Sequence, residues 1–253
     1  LPPQRLCVHP LYRKSPTFVG DMEKIWFKDL GVIDYQEAWN YQEQLLKENV
    51  SLKSASVSAG QAVVPTTHHL LFCEHPPVYT LGKSGHMENL LVSEEALKEQ
   101  GIGFVPTNRG GDITFHGPGQ IVGYPILDLE KYFTDIGKYL RNLEEVIIRT
   151  IGEYGLKGDR SPGETGVWLE PGDKAKARKI CAMGVRCSRW VTMHGFALNV
   201  NTSLDYFNKI VPCGIADKKV ASLHEELGRE VDIEEVKTKL KRHFAEIFES
   251  AIE

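Results

Sequence analysis

Long apolar runs are absent from this 253-residue sequence. None approaches the ~18 consecutive apolar residues of a membrane-spanning helix, so no membrane partner is expected. Cysteine is sparse and odd in number, five residues in all. That argues against a disulfide scaffold and for a reducing compartment, cytoplasmic or, in a eukaryote, mitochondrial, where a lone cysteine stays a free thiol. One-sided charge is lacking too: 30 basic residues against 34 acidic leave a net charge of −4, so no global field favours nucleic acid. The start of the chain has no basic n-region followed by an apolar h-region, so a secretory signal is not expected.

What is present is ordinary globular material, 42% hydrophobic and 25% charged, enough for a sizeable core. Residues 1–20 carry Arg5, Arg13 and Lys14 but also Pro2, Pro3, Pro10 and Pro16. The prolines oppose an amphipathic helix, and the segment reads as a disordered tail preceding one catalytic domain over 21–253. Ile25 and Phe27 alternate as on a half-buried strand. Asp34 with Glu37 reads as a capping box for a helix whose apolar face includes Tyr35, Ala38, Trp39, Leu45 and Leu46. Residues 50–62, rich in Ser, Ala and Gly, read as a loop. Leu70–Phe72 is a short apolar run stopped by Pro76 and Pro77. Ser93 caps a short helix ending at Gly101. Strand-like runs follow at Ile113–Phe115 and Ile121–Leu127. A helix over 134–154 shows Ile136, Leu140, Leu143, Ile147 and Ile151 at helical spacing, with Gly155 as its C′ glycine. Further strands are expected near Val167–Leu169, Ile180–Val185 and Trp190–Val200, then a helix from Asp232. Strands outnumber helices without strict alternation, which fits one α/β or α+β domain around a mixed sheet.

Four segments carry chemical potential. Arg109-Gly110-Gly111-Asp112-Ile113-Thr114-Phe115-His116, continuing through Gly117-Pro118-Gly119-Gln120, sets polar handles among glycines that let a backbone approach a ligand; an ordinary hairpin would also account for it. Lys174–Arg189 contains six basic residues and no acid. Such a run is usually a solvated face, but it could also attract an acidic partner. Within it, Lys179 enters a strand through Ala182, Met183 and Gly184, where a partly buried lysine can serve as a base. In His194-Gly195-Phe196-Ala197-Leu198-Asn199 the small Gly195 and Ala197 share one face, with His194, Phe196 and Leu198 on the other. That face would leave room for an apolar chain, or for close packing of a helix. Cys213, between Pro212 and Gly214, falls on an irregular turn, where a nucleophile meets its substrate, whereas Cys73 and Cys181 continue apolar strands. Gly82-Lys83-Ser84 lacks the first glycine of a phosphate loop. His68, His69, Cys73 and His75 lack a zinc spacing.

In order and spacing these segments resemble the lipoyl(octanoyl) transferase family of lipoate biosynthesis. The matching residues are Arg109-Gly110-Gly111 with Thr114 and His116, Pro118-Gly119-Gln120, Lys179-Ile180 with Gly184, His194-Gly195 with Ala197 and Asn199, and Pro212-Cys213-Gly214. His75-Pro76-Pro77 with Thr80 and Gly82 is similar to the family's N-terminal half. The resemblance spans about residues 24–228. It implies the α/β (α+β) fold of biotin and lipoate protein ligases, a mixed sheet flanked by helices, and acyl transfer with no ATP and no metal. It implies Cys213 as the acyl-thioester cysteine and Lys179 as its activator. Arg109–His116, Ala182, Met183, Gly184, Gly195, Phe196 and Ala197 are implied as acyl-substrate contacts. His116 reads as substrate-shaping or structural rather than as the base. Implied partners are octanoyl-acyl carrier protein and, as acceptors, lipoyl domains of 2-oxoacid dehydrogenase complexes and the glycine cleavage H protein. Ala182-Met183 stands where the family often has Ser-Leu.

The residue types suit that chemistry. A thiol with a pKa of about 8.5 needs nearby positive charge or a base to become a thiolate. The tetrahedral oxyanion needs fixed donors, for which backbone N–H groups of the glycine-rich segments are candidates. Two acyl acceptors sharing one thiol imply ping-pong kinetics. Two other classes remain open: an ATP-dependent lipoate or biotin ligase on the same fold, and a non-catalytic module that binds lipoyl domains or carrier proteins.

Overall fold

The computed structural model describes residues 22–58, 60, 65–211 and 219–253. The expected tail and Cys213 lie outside the described residues, as does Cys7. Among the described residues twelve strands and five α-helices follow one another as β1 (Glu23–Val32), α1 (Tyr35–Ser58), β2 (His68–Glu74), β3 (Val78–Leu81), α2 (Glu94–Glu99), β4 (Gly103–Pro106), β5 (Ile113–His116), β6 (Gln120–Ile126), α3 (Ile136–Gly152), β7 (Gly158–Asp159), β8 (Val167–Leu169), β9 (Arg178–Ser188), β10 (Val191–Asn199), β11 (Lys219–Val220), α4 (Leu223–Leu227), α5 (Ile233–Ile247) and β12 (Ser250–Ile252).

Nine strands make one mixed sheet in the order β12-β1-β2-β6-β10-β9-β8-β7, with β11 beside β9. β1 runs parallel to β2 and β12, and β11 parallel to β9, while the central pairs are antiparallel. One face packs on α3 and α5 through Leu143, Ile147, Ile151, Val236, Leu240 and Phe244. The other packs on α1 through Ala38, Leu45 and Leu46 against Leu71, Val122, Met193 and Ala197. A second sheet, β4-β3-β5, has its own small core around Tyr79, Leu97, Phe115 and Phe207. The strands β3 and β4 were not visible as a pattern, because Pro76 and Pro77 precede the first and Pro106 ends the second.

Caps form where expected. Asp34 Oδ1 accepts from the N–H groups of Gln36 and Glu37, and Asp232 Oδ1 does the same for Glu234 and Glu235. Ser93 caps α2, and Gly155 takes the left-handed φ of +80° expected beyond the end of α3. The expected loop over 50–62 is corrected: α1 continues to Ser58. Serine hydroxyls of Ser54 and Ser58 bond back to carbonyls one turn earlier, which by itself does not favour a helix. The extension is held by tertiary contact. Buried Lys53 donates to Asp128 Oδ1 at 2.6 Å and to the Arg189 carbonyl at 2.8 Å, across the end of the sheet.

Candidate active site

Between the two sheets lies a cavity of about 830 Å³, within the range that takes small-molecule ligands. Its lining includes Arg109, Gly110, Gly111, Asp112, Ile113, Thr114, His116, Lys179, Ala182, Met183, Gly184, Gly195, Phe196 and Ala197. Segments separated by more than eighty positions in the chain therefore meet at one wall. Phe115 is the exception. Strand alternation turns it away from Thr114 and His116 into the small core, where its ring stacks on Tyr206 with centroids 4.3 Å apart.

The glycines explain how the wall closes. At Gly184 a Cβ would stand 2.5 Å from the Gly110 carbonyl oxygen and 3.3 Å from Arg109 Cδ. The Arg109-Gly110 backbone thus rests directly on β9, and the Gly110 N–H donates to the Val185 carbonyl at 3.0 Å. That donor is committed to the fold and is not available to an oxyanion. At Gly195 a Cβ would meet the Gly123 oxygen at 2.1 Å. Two of the four small residues on this face therefore admit backbone, while Ala182 and Ala197 leave space in the cavity.

Arg109 is buried and its guanidinium braces the loop. It donates to the Thr80 carbonyl and hydroxyl at 2.7 and 2.9 Å, to the Asp112 carbonyl at 2.8 Å and to the Gly110 carbonyl at 3.0 Å. Tyr35 stacks on His116 with 14° between rings. Burial pushes the Tyr35 hydroxyl up to about 12, partly offset by Arg109. Burial, then His75 and Arg109, holds His116 well below its ordinary value, so it is a neutral ring. Its two nitrogens meet Gln120 Oε1 at 2.8 Å and Thr80 Oγ1 at 3.3 Å. Both ring nitrogens are therefore satisfied, while the residue still lines the cavity.

His194 leaves the strand alternation. Its φ is +57°, a strained region for a residue with a side chain. The ring consequently sits on the α1 side, 5.9 Å from Trp39, instead of sharing a face with Phe196 and Leu198. Its Nε2 meets Asn108 Oδ1 at 2.7 Å, and its backbone N–H donates to Gln42 Oε1. Burial, then Arg109 and Arg186, lowers its pKa to about 3. Sequence alternation alone could not find this turn, because a positive φ at a histidine leaves no compositional mark.

Lys179 is half-buried near the start of β9 and lines the cavity. It pairs with Trp168 on β8 and Val220 on β11, and its Nζ lies 4.7 Å from the Trp168 ring centroid. Gly166 gives it room: a Cβ there would come within 3.6 Å of Lys179 Cδ and 2.5 Å of the Cys181 oxygen. The surrounding basic run is paired in part. Arg178 is bidentate to Glu226 and also meets Glu170, while Arg186 pairs with Glu43. Acids from elsewhere in the chain thus pair with Lys176, Arg178 and Arg186, while Lys174 and Arg189 are exposed.

Cys73 and Cys181 are buried free thiols whose pKa burial raises, consistent with packing roles. His68 is engaged by Glu23 and the Asp128 N–H, and His75 by Tyr124 and the Ile33 carbonyl. Among the described residues no group of three or more His, Cys, Asp and Glu side chains could hold a metal ion, and no helix is long and apolar enough to cross a membrane.

The ligase-like sheet and its cavity define the class, and the chain belongs to the lipoyl protein ligase A/B catalytic domain family, which it matches over residues 34–245. Within it the chain stands among the octanoyltransferases. It is 60% identical to the octanoyltransferase of Christiangramia forsetii over 91% of this chain and 98% of that protein. It is likewise 60% identical to that of Flavobacterium johnsoniae, over 91% and 99%. Among solved structures it resembles the bi-partite lipoate protein ligase of Thermoplasma acidophilum, with a TM-score of 0.64 at 19% identity over 92% of this chain and 86% of that one. A lipoate-protein ligase A bound with ATP gives a TM-score of 0.65 at 16% identity, over 92% and 87%. These structures share the fold.

Proposed function

We propose that the protein is an acyltransferase of protein lipoylation that moves an octanoyl group from acyl carrier protein to a lysine of a lipoyl domain, through a thioester on Cys213. The observation that carries the reading is the cavity of about 830 Å³ that gathers Arg109–Thr114, His116, Ala182–Gly184, Gly195–Ala197 and Lys179, in a chain 60% identical to octanoyltransferases. Arg109, Gly110, Gly111, Asp112, Ile113, Thr114, His116, Ala182, Met183, Gly184, Gly195, Phe196 and Ala197 enclose the acyl chain.

In the first half-reaction the Cys213 thiolate attacks the thioester carbonyl. Lys179 takes the thiol proton or stabilises the anion by its charge. The carrier's carbon–sulfur bond breaks and its thiol leaves protonated. In the second, a deprotonated lysine amine attacks the acyl-enzyme, an amide forms, and the Cys213 thiolate is released. The Lys179/Cys213 pair accepts the amine's proton. No ATP, other cofactor or metal enters either step, because the thioester is already activated. The acceptors are lipoyl domains of 2-oxoacid dehydrogenase complexes and the glycine cleavage H protein.

Intact-mass spectrometry after mixing with octanoyl-carrier protein tests this. The expected result is one added octanoyl group, absent in Cys213→Ala and formed slowly by a folded Lys179→Ala. Equal labelling of Cys213→Ala would remove the thioester from the mechanism. Pyrophosphate release from ATP with free lipoate would favour the ligase alternative.

A further inference from the structure

A continuous chain of buried hydrogen bonds joins the Arg109 loop to the backbone of Lys179. Arg109 donates to Thr80 Oγ1 at 2.9 Å, and Thr80 Oγ1 lies 3.3 Å from His116 Nε2. His116 Nδ1 meets Gln120 Oε1 at 2.8 Å. Gln120 Nε2 donates to Asn199 Oδ1 at 2.8 Å and to the Phe115 carbonyl at 3.2 Å. Asn199 Nδ2 donates to the Ala221 carbonyl at 3.0 Å, and the Ala221 N–H donates to the Lys179 carbonyl at 2.9 Å.

Every direction in this relay is forced. The Gln120 amide nitrogen faces two oxygens, so its own oxygen must accept, and His116 must carry its proton on Nδ1. His116 Nε2 is then an acceptor, and the Thr80 hydroxyl donates to it while receiving from Arg109. The Asn199 nitrogen faces a carbonyl, which fixes that amide as well. Thr80, His116, Gln120 and Asn199 are all buried, so an unmade bond here costs the full desolvation of its group. The relay crosses β3, β5, β6 and β10 and ends at the edge of β11. That strand pairs with β9 over only two positions, Lys219↔Arg178 and Val220↔Lys179. The segment is also held by Ala221 and Leu223 in the core and by the His224 N–H on the Val200 carbonyl, and the Asn199 amide adds a buried side-chain anchor at Ala221.

We propose that Gln120 and Asn199 are positioning residues for the acyl-transfer step: they hold β11 in register against Lys179 and tie that register to the acyl-binding loop through His116 and Arg109. This rests on the reading of Lys179 and Cys213 given above. Both side chains also line the cavity; the role assigned to them here runs through the Ala221 and Lys179 backbone.

Asn199→Asp tests the anchor, since a carboxylate cannot donate to the Ala221 carbonyl. Gln120→Glu tests the next link independently: it keeps an acceptor for His116 and loses the donor to Asn199. Ile147→Val, in the α3 core, controls for lost stability. The measurements are the rate and KM of acyl-enzyme formation by rapid-quench mass spectrometry, and the pH dependence of Cys213 alkylation by iodoacetamide. Both amide variants are expected to slow acylation about tenfold to a hundredfold, as for a misplacement near 1 Å, with KM within about twofold of wild type, since an effect confined to the transition state leaves KM unchanged. Their alkylation profile moves to higher pH, and that of Ile147→Val does not. Variants that lose thermal stability but keep the wild-type rate and profile overturn the relay alone. A wild-type chain that takes up no octanoyl group on Cys213 overturns the chemical reading and the relay with it. Should Asn199→Asp fail to fold, Gln120→Glu with wild-type kinetics is the overturning result.

Discussion

The Nζ of Lys179 stands 4.7 Å from the centre of the Trp168 ring, on the strand that pairs with it directly. The ring is buried and its face favours a cation. A cross-strand aromatic thus holds the one lysine among the described residues that lines the cavity, restricting a side chain that otherwise has several rotatable bonds. Trp168→Phe keeps a π-face and is expected to retain most of the acylation rate. Trp168→Leu forfeits about 1–2 kcal/mol of that interaction and is expected to slow acyl-enzyme formation about tenfold. Rapid-quench mass spectrometry reads both, and equal rates for the two variants would dismiss the ring's role.

The glycine-rich loop is seated by the missing side chain of Gly184. Gly184→Ala would force the Gly110 carbonyl away from a Cβ at 2.5 Å, and backbone yields less readily than a flexible side chain. A cost of about 1–3 kcal/mol in stability is expected, typical of overpacking, together with loss of acyl transfer. Urea titration and the octanoyl-labelling assay check this. Gly172→Ala, where nothing lies within 4 Å, is expected to change neither.

The neutral histidines make stability fall in acid. His194 is held at about 3 against an ordinary 6.5, so the unfolded chain binds its proton first. Its contribution is complete above pH 6.5 and is lost as pH falls from 6.5 toward 3. Within that window the slope from His194 is about 1.4 kcal/mol per pH unit. His116 and His75, lowered in the same sense, add to it. Asparagine tolerates the left-handed φ, so His194→Asn is expected to fold and to show a shallower acid dependence of its urea midpoint. Parallel pH dependences would exclude His194 as a source.

The last turns of α1 depend on Lys53, which is buried with Asp128 and also reaches Glu130 at 3.0 Å. Lys53→Ala strands a buried carboxylate and is expected to cost about 3–5 kcal/mol. Hydrogen exchange should rise over 50–58 before the rest of α1. Lys53→Met combined with Asp128→Asn is expected to cost less than Lys53→Ala alone, because no charge is left unpaired.

The elements that could be read from the chain are those whose signal is local. α3 and α5 carry apolar residues at helical spacing with Asp135 and Asp232 as caps. The strands around Leu71, Val122 and Leu198 are continuous apolar runs. What escaped is governed by distant partners. Residues 50–58 look like a loop until Lys53 finds Asp128. β3, β4 and β12 are too short for a pattern to emerge. Phe115 looked like a member of the acyl-binding segment because it is bracketed by Thr114 and His116, but a strand sends neighbours to opposite faces. The acids that pair with Arg178 and Arg186 in the basic run, Glu226, Glu170 and Glu43, lie elsewhere in the chain.

By itself the sequence determined the class of chemistry: its sparse cysteines, its glycine-rich segments and the order of Arg109, Lys179, His194 and Cys213 are covalent facts that no folding alters. Tertiary structure decided which of those side chains share a space and in what charge state. Cavity walls, the buried amide relay, the turned ring of His194 and the ion pairs of Arg178 and Arg186 all come from contacts between residues far apart in the chain. Such contacts set desolvation and hydrogen bonding, and neither has a local signature.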